Sequence, residues 1–242
     1  MSAGAVLFAA TEGIATITLN RPERRNALDL AMCEGLVAAA HAAAADDSVC
    51  LVFVRANGPA FCAGADLKER QGMSVHQVRE RRIKGFAAYA TLEALPMPAV
   101  AVVQGPAIGS GCEISAACDF IVATPDATFA TPEALRGTVG ATQRLPRVLG
   151  KRLAKDLMFT GRRLSAEEAL RHGLVARVVP ADELEAVLDG IARAVVDAPP
   201  QSLRLAKRCI DRGIELDPQG ALKAEIEAIE EQLASGSWLG KA

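Results

Sequence analysis

The chain is predicted to be an α/β protein, on three observations. Short apolar runs of strand length alternate with longer helical stretches over the first half of the chain. Pro, Gly and Asn punctuate nearly every junction, and strand signals cease after about Pro180.

Residues 14–19 alternate apolar side chains with Thr, the period of a half-buried strand, until Asn20, Arg21 and Pro22 break it. The Ala-rich segment 29–46 reads as a helix, and residues 50–55 as a buried strand closed by the turn residues Asn57, Gly58 and Pro59. A second long helix is expected over 74–95, with Ser74 as its N-cap. Residues 99–103 form another apolar strand. Three glycines follow within 105–111, then a short helical run through Ala117 and a strand over 120–123. That order argues for parallel strands joined by helical crossovers. Residues 182–197, 200–213 and 217–234 all read as helices, an appendage that packs on its own core or on another subunit.

With 242 residues, 50% of them hydrophobic and 23% charged, the chain can bury a sizeable core. A net charge of −2 and a pI near 6.0 supply no field for nucleic acid or an anionic membrane, so neither is an expected partner. The six cysteines form no CxxC pair and have no histidine at zinc spacing, so they read as reduced thiols with no metal. His41, His76 and His172 have no ligand companions. The run Arg79, Glu80, Arg81, Arg82 and Lys84 reads as a solvated helix face. No apolar run approaches the roughly 18 residues of a membrane span. The first positive charge is Arg21, which fits neither a secretory nor a transit peptide, and a cytoplasmic location is expected.

Two segments carry the chemistry: FCAGADLKER from Phe61 to Arg70, and GPAIGSGCEISAACD from Gly105 to Asp119. Each sets small residues directly after a strand, where backbone N–H groups can approach a ligand. The second opens into a helix, whose first N–H groups are unpaired and favour negative charge, so two such loops side by side would make an oxyanion hole. Neither a Walker A sequence nor a complete GxGxxG fingerprint is present. Two carboxylates need explaining. Glu113 lies in an apolar stretch that would raise its pKa, and Glu133 lies in TFATPEAL. Taken alone, Glu113 also fits a helix N-terminal acid and Glu133 an exposed residue after Pro132.

In combination, FCAGADLKE, the GxAxGxGCExxxxCD spacing and TFATPE resemble the motif set of the enoyl-CoA hydratase/isomerase (crotonase) family. NRPERRNAL, TQRLPRVLG and GRRLSAEEALRHGLVARVV extend the resemblance over nearly the whole chain. GADLKERQGMS is similar to the methylglutaconyl-CoA hydratase branch. The resemblance implies a crotonase-type (ClpP/crotonase-like) core of repeated ββα turns over residues 1–180 and a helical trimerisation region over 181–242, assembled as a trimer or dimer of trimers. It implies a hydro-lyase of acyl-CoA and fatty acid metabolism, with coenzyme A as part of the substrate and no cofactor. The backbone N–H groups of Ala65 and Ser110 would form the oxyanion hole, although the family usually has Gly where Ser110 stands. Glu113 would be the water-side base and Glu133 the proton donor to carbon. Arg24, Arg25, Ala27, Ala63, Asp66, Leu67, Lys68 and Gly109 would contact CoA or substrate. Against the family pattern, about three residues are missing between Glu133 and Gln143, and the chain stops soon after Trp238. Other crotonase chemistries (isomerisation, decarboxylation, thioester hydrolysis) and a non-catalytic CoA-ester or RNA-binding homologue are the alternatives.

Overall fold

The computed structural model of the chain describes residues 4–236, so Trp238 and the end of the chain lie outside the described residues. Among the described residues nine strands run in chain order: β1 (Val6–Thr11), β2 (Ile14–Leu19), β3 (Leu51–Ala56), β4 (Ala99–Val103), β5 (Pro106–Ile108), β6 (Phe120–Ala123), β7 (Thr128–Ala130), β8 (Leu164–Ser165) and β9 (Arg177–Val178). The helices are α1 (Leu30–Ala45), α2 (Val75–Glu93), α3 (Ser110–Ala116), α4 (Arg144–Thr160), α5 (Ala166–Arg171), α6 (Leu184–Val196), α7 (Pro200–Gly213) and α8 (Pro218–Ser235).

One sheet has the order β1-β2-β3-β4-β6-β9, and a smaller one the order β5-β7-β8. From β2 to β9 the larger sheet is parallel, as the crossover pattern predicts; β1 is an antiparallel edge. β2 shows the expected alternation, with Ala15, Ile17 and Leu19 fully buried. β4 is buried along its length because both faces are covered. On one face Ile17, Val52, Val54 and Ala101 join a core shared with α1 and α2. On the other, Leu51, Phe53, Val100 and Val102 pack under Leu184, Leu188 and Ile191 of α6. α6 therefore seals the sheet, while α7 and α8 pack chiefly on each other.

The helix boundaries follow local chemistry. Asp29 caps α1 by accepting from the Met32 N–H at 2.8 Å. Ser74 and Gln77 form a reciprocal capping box at the start of α2. β1 and β5 went unrecognised in the sequence because β1 is mostly exposed and lacks alternation, while β5 is three residues long and sits inside the Gly-rich loop.

The basic run on α2 is only partly a solvated face. Arg81 is 4% exposed, pairs with Glu69 at 2.8 Å and donates to the Leu28 carbonyl. Arg82 reaches Thr138 Oγ1 at 2.9 Å and the Val139 carbonyl. Both turn inward to donate to loop carbonyls, Arg81 as a second donor on a Leu28 carbonyl that also accepts from the Asp66 N–H, which residue type alone does not reveal.

Candidate active site

Two isolated bridges draw the loops together: Leu28 pairs with Ala65, and Cys62 with Ala107. At the first, the Leu28 N–H donates to the Gly64 carbonyl and the Asp66 N–H to the Leu28 carbonyl. The intervening Ala65 N–H therefore points away from Leu28, as parallel pairing requires. At the second, the Cys62 N–H donates to Pro106 and the Ile108 N–H to Cys62, which sets the loop before α3 alongside. Gly111 is needed for this approach, since a Cβ there would lie 2.5 Å from the Cys62 carbonyl oxygen. Ser110 opens α3 and holds one of that helix's unpaired first N–H groups. Ala65 and Ser110 line one cavity of about 420 Å³.

Glu113 and Glu133 line the same cavity. Glu113 is 5% exposed; its Oε2 accepts from Arg144 Nη1 at 2.9 Å, and its Oε1 is buried without a partner. Burial pushes its carboxyl up, against the opposing pull of the Arg144 charge and hydrogen bond. Glu133 precedes a 3-10 turn over Ala134–Arg136 and is half-buried, with Oε2 unpartnered. Its carboxyl is also raised, first by burial and further by the charge of Glu113, with its own N–H, Arg136 and Arg82 pulling the other way. Glu113 does stand in the first turn of α3, as its local sequence allowed, but buried, and Glu133 is not the exposed residue that its own local sequence allowed.

Of the other residues singled out in the sequence, Ala63, Leu67 and Gly109 line the cavity, and Arg24, Arg25, Ala27, Asp66 and Lys68 do not. Arg24, Arg25 and Lys68 are exposed. Asp66 organises its loop: it pairs with Arg21 at 3.1 Å and accepts from the Lys68 and Glu69 N–H groups. Burial alone would raise its carboxyl, but these donors outweigh it and hold it below the usual range. The Ala27 carbonyl accepts from Arg21.

Sequence reasoning missed Arg144, Tyr89 and the cavity arginines Arg70, Arg82 and Arg136. Tyr89 interacts with the Ser110 side chain, and burial pushes its phenol up. The available signal for Arg144 was a cation at the first position of a helix, where the dipole disfavours it. All six cysteines are free thiols. Among the described residues no group of His, Cys, Asp and Glu is placed to hold a metal, and no helix is long and apolar enough to cross a membrane.

Fold and site together define a class: an α/β chain that sets a buried carboxylate pair beside two loops offering backbone donors. Residues 9–237 match the enoyl-CoA hydratase/isomerase family, and the chain belongs to it. It is 37% identical over 222 residues to the short-chain-enoyl-CoA hydratase of Clostridium acetobutylicum, spanning 90% of this chain and 85% of that one. To the crotonyl-CoA hydratase of Syntrophomonas wolfei it is 34% identical over 227 residues, spanning 92% and 87%. The solved enoyl-CoA hydratase from Bacillus anthracis matches with a TM-score of 0.89 at 38% identity, covering 93% of this chain and 90% of that one. That from Mycobacterium smegmatis matches at 0.91 and 34%, covering 95% and 91%. The fold is therefore the crotonase fold that the motifs implied.

Proposed function

We propose that the protein is an enoyl-CoA hydratase that adds water across the 2,3-double bond of an acyl-CoA thioester. The observation that carries this reading is the single cavity in which two carboxylates, each with an unpartnered oxygen, face the loops bearing the Ala65 and Ser110 N–H groups. Addition of water to a conjugated thioester develops negative charge on the carbonyl oxygen. Two preorganised N–H donors there favour the transition state, each by about 3 kcal/mol. Glu113, as the anion, takes a proton from water as its oxygen bonds to C3, and Glu133, as the acid, delivers a proton to C2. These groups and the CoA thioester account for the reaction without a further cofactor. Arg24, Arg25 and Lys68 are assigned to the CoA phosphates, since cationic donors match phosphate oxygens. Ala27, Ala63, Asp66, Leu67 and Gly109 are assigned to the pantetheine arm and thioester.

Assembly as a trimer or dimer of trimers fits the exposed apolar side chains of the last two helices and their junction, among them Ile210, Ile214, Leu222 and Ile226. Sedimentation would read it directly.

The test is hydration of crotonyl-CoA, followed as loss of the conjugated thioester absorbance, in the wild type and in Glu113→Gln and Glu133→Gln. Wild-type turnover with both variants down about a hundredfold or more supports the reading. A wild type that binds CoA esters but hydrates no short or branched enoyl-CoA overturns it in favour of an isomerase or a binding protein.

A further inference from the structure

Two carboxylates that share a water cannot do the same job: one must start as the anion and the other as the acid. Burial raises both here, and each has a bare oxygen in the cavity, so burial alone does not choose between them. One contact breaks the symmetry. Arg144, the first residue of α4, gives Nη1 to Glu113 Oε2 at 2.9 Å and Nη2 to Glu93 Oε2 at 2.5 Å, at the end of α2. Its guanidinium lies over the Tyr89 ring, 5.8 Å from the centroid. Among the described residues no arginine donates a hydrogen bond to Glu133, on which Arg136 and Arg82 act through charge alone.

A cation at the start of a helix opposes the dipole, and this one is only 17% exposed along its side chain. Its position is offset by the two carboxylates and the ring. Glu93 is 54% exposed, so water screens its charge, whereas Glu113 is at 7% and feels Arg144 almost undiluted.

We propose that Arg144 is a positioning residue that keeps Glu113 the anionic member of the pair, with Glu93 orienting the guanidinium from behind. This rests on the hydratase reading for its purpose but not for its test. The ionisable groups that surround Glu113 are Arg144 on α4, Glu93 and Tyr89 on α2, Glu133 after β7 and the neighbouring Cys112 on α3. Arg70, Arg81, Arg82 and Arg136 line the same cavity, but among the described residues Arg144 is the cation that acts on the Glu113 carboxyl, Arg136 and Arg82 acting on Glu133 instead. Without Arg144, Glu113 therefore answers chiefly to burial and to other anions.

The experiment is a 13C NMR titration of the glutamate carboxyls in the unliganded protein, with the Glu113 signal identified by its loss in Glu113→Gln. It is repeated in Arg144→Gln, Arg144→Lys and Glu93→Gln, alongside pH profiles of crotonyl-CoA hydration. In Arg144→Gln the Glu113 midpoint should rise by about one pH unit or more, as expected on removal of an adjacent guanidinium. The acid limb of kcat/KM should move up with it, and Arg144→Lys should restore part of the shift. Glu93→Gln removes a negative charge but keeps an acceptor, so it should move Glu113 down or leave it in place. An unmoved Glu113 midpoint in a folded Arg144→Gln, or a loss carried wholly by KM, overturns the proposal and leaves Arg144 as a packing residue. If Arg144→Gln does not fold, Arg144→Lys decides the matter by the same midpoint. If the wild type hydrates no enoyl-CoA, the function proposed above fails while the titration still decides the role of Arg144.

Discussion

A side chain at Gly109 would strike the Oε1 of Glu133: the glycine Cα sits directly against that carboxylate. Gly109 also has φ 54° and ψ −107°, a conformation that residues with a Cβ rarely adopt. The glycine thus does two things, turning the chain into α3 and leaving room for the acid. Gly109→Ala should lower hydration about a hundredfold or more, because displacing Glu133 by about 1 Å is enough for that. The strained backbone should cost a further 1–3 kcal/mol or so, read as a fall in Tm. A rate close to wild type would show that Glu133 does not work from where it stands.

The raised carboxyl of Glu133 has a stability consequence of definite sign. A group whose folded pKa lies above its ordinary value, 4.5 here, contributes stability that is full below that value and lost as pH rises through the folded one. Glu133→Gln is neutral at every pH and avoids that loss. The variant should melt above the wild type at pH 8, by roughly 2–4 °C for each kcal/mol regained, and the gap should close toward pH 4. Glu113→Gln should show less gain, since it strips Arg144 of its buried anion. Melting curves of both variants across pH 4–8 test this; a Glu133→Gln gap that widens in acid would contradict it.

Much of this was readable in the sequence where local rules act alone. The N-cap Ser74, the helix beginning at Asp29, the alternation in β2 and the apolar run of β4 all depend on neighbours within a few residues, and all appear as expected. Glu113 and Glu133 were readable as a pair only through the combined motifs, because their meeting depends on a strand pairing between β5 and β7. Arg81, Arg82 and Arg144 were not readable: each is an ordinary surface residue by type, turned inward by a carbonyl or carboxylate from a distant part of the chain.

Lys68 stands exposed just beyond the loop that ends in Asp66, outside the cavity holding the carboxylates. If it meets a CoA phosphate, Lys68→Met should raise KM for crotonyl-CoA several-fold, with the change falling mainly on KM. The contact would be between exposed charges, so the gap between variant and wild type should shrink as salt is raised toward about 1 M. A KM that is unchanged at low salt would place the phosphates elsewhere.

Asn26 is fully buried at φ 52° and ties two stretches of backbone together. Its Oδ1 accepts from the Arg21 N–H at 2.7 Å, and its Nδ2 donates to the Asn57 and Ala60 carbonyls at 2.8 and 2.9 Å. These bonds hold the turn after β3 against the NRPERRNAL segment, and the turn leads straight into Cys62 and Ala65. Asn26→Ala would leave the buried Ala60 carbonyl and the part-buried Arg21 N–H and Asn57 carbonyl without their partner, at up to about 1–3 kcal/mol each before water or relaxation meets them. A net loss of about 3 kcal/mol, or roughly 6–12 °C in Tm, is expected. Asn26→Asp keeps the shape but replaces the donor with an acceptor, setting a carboxylate against two carbonyls. The buried anion should raise that carboxyl, so the variant should be least damaged in acid and lose stability as pH rises. Thermal melts at pH 4 and pH 8 separate the cases: a loss independent of pH would mean that the site opens to water and that Asn26 is not the clamp its three bonds describe.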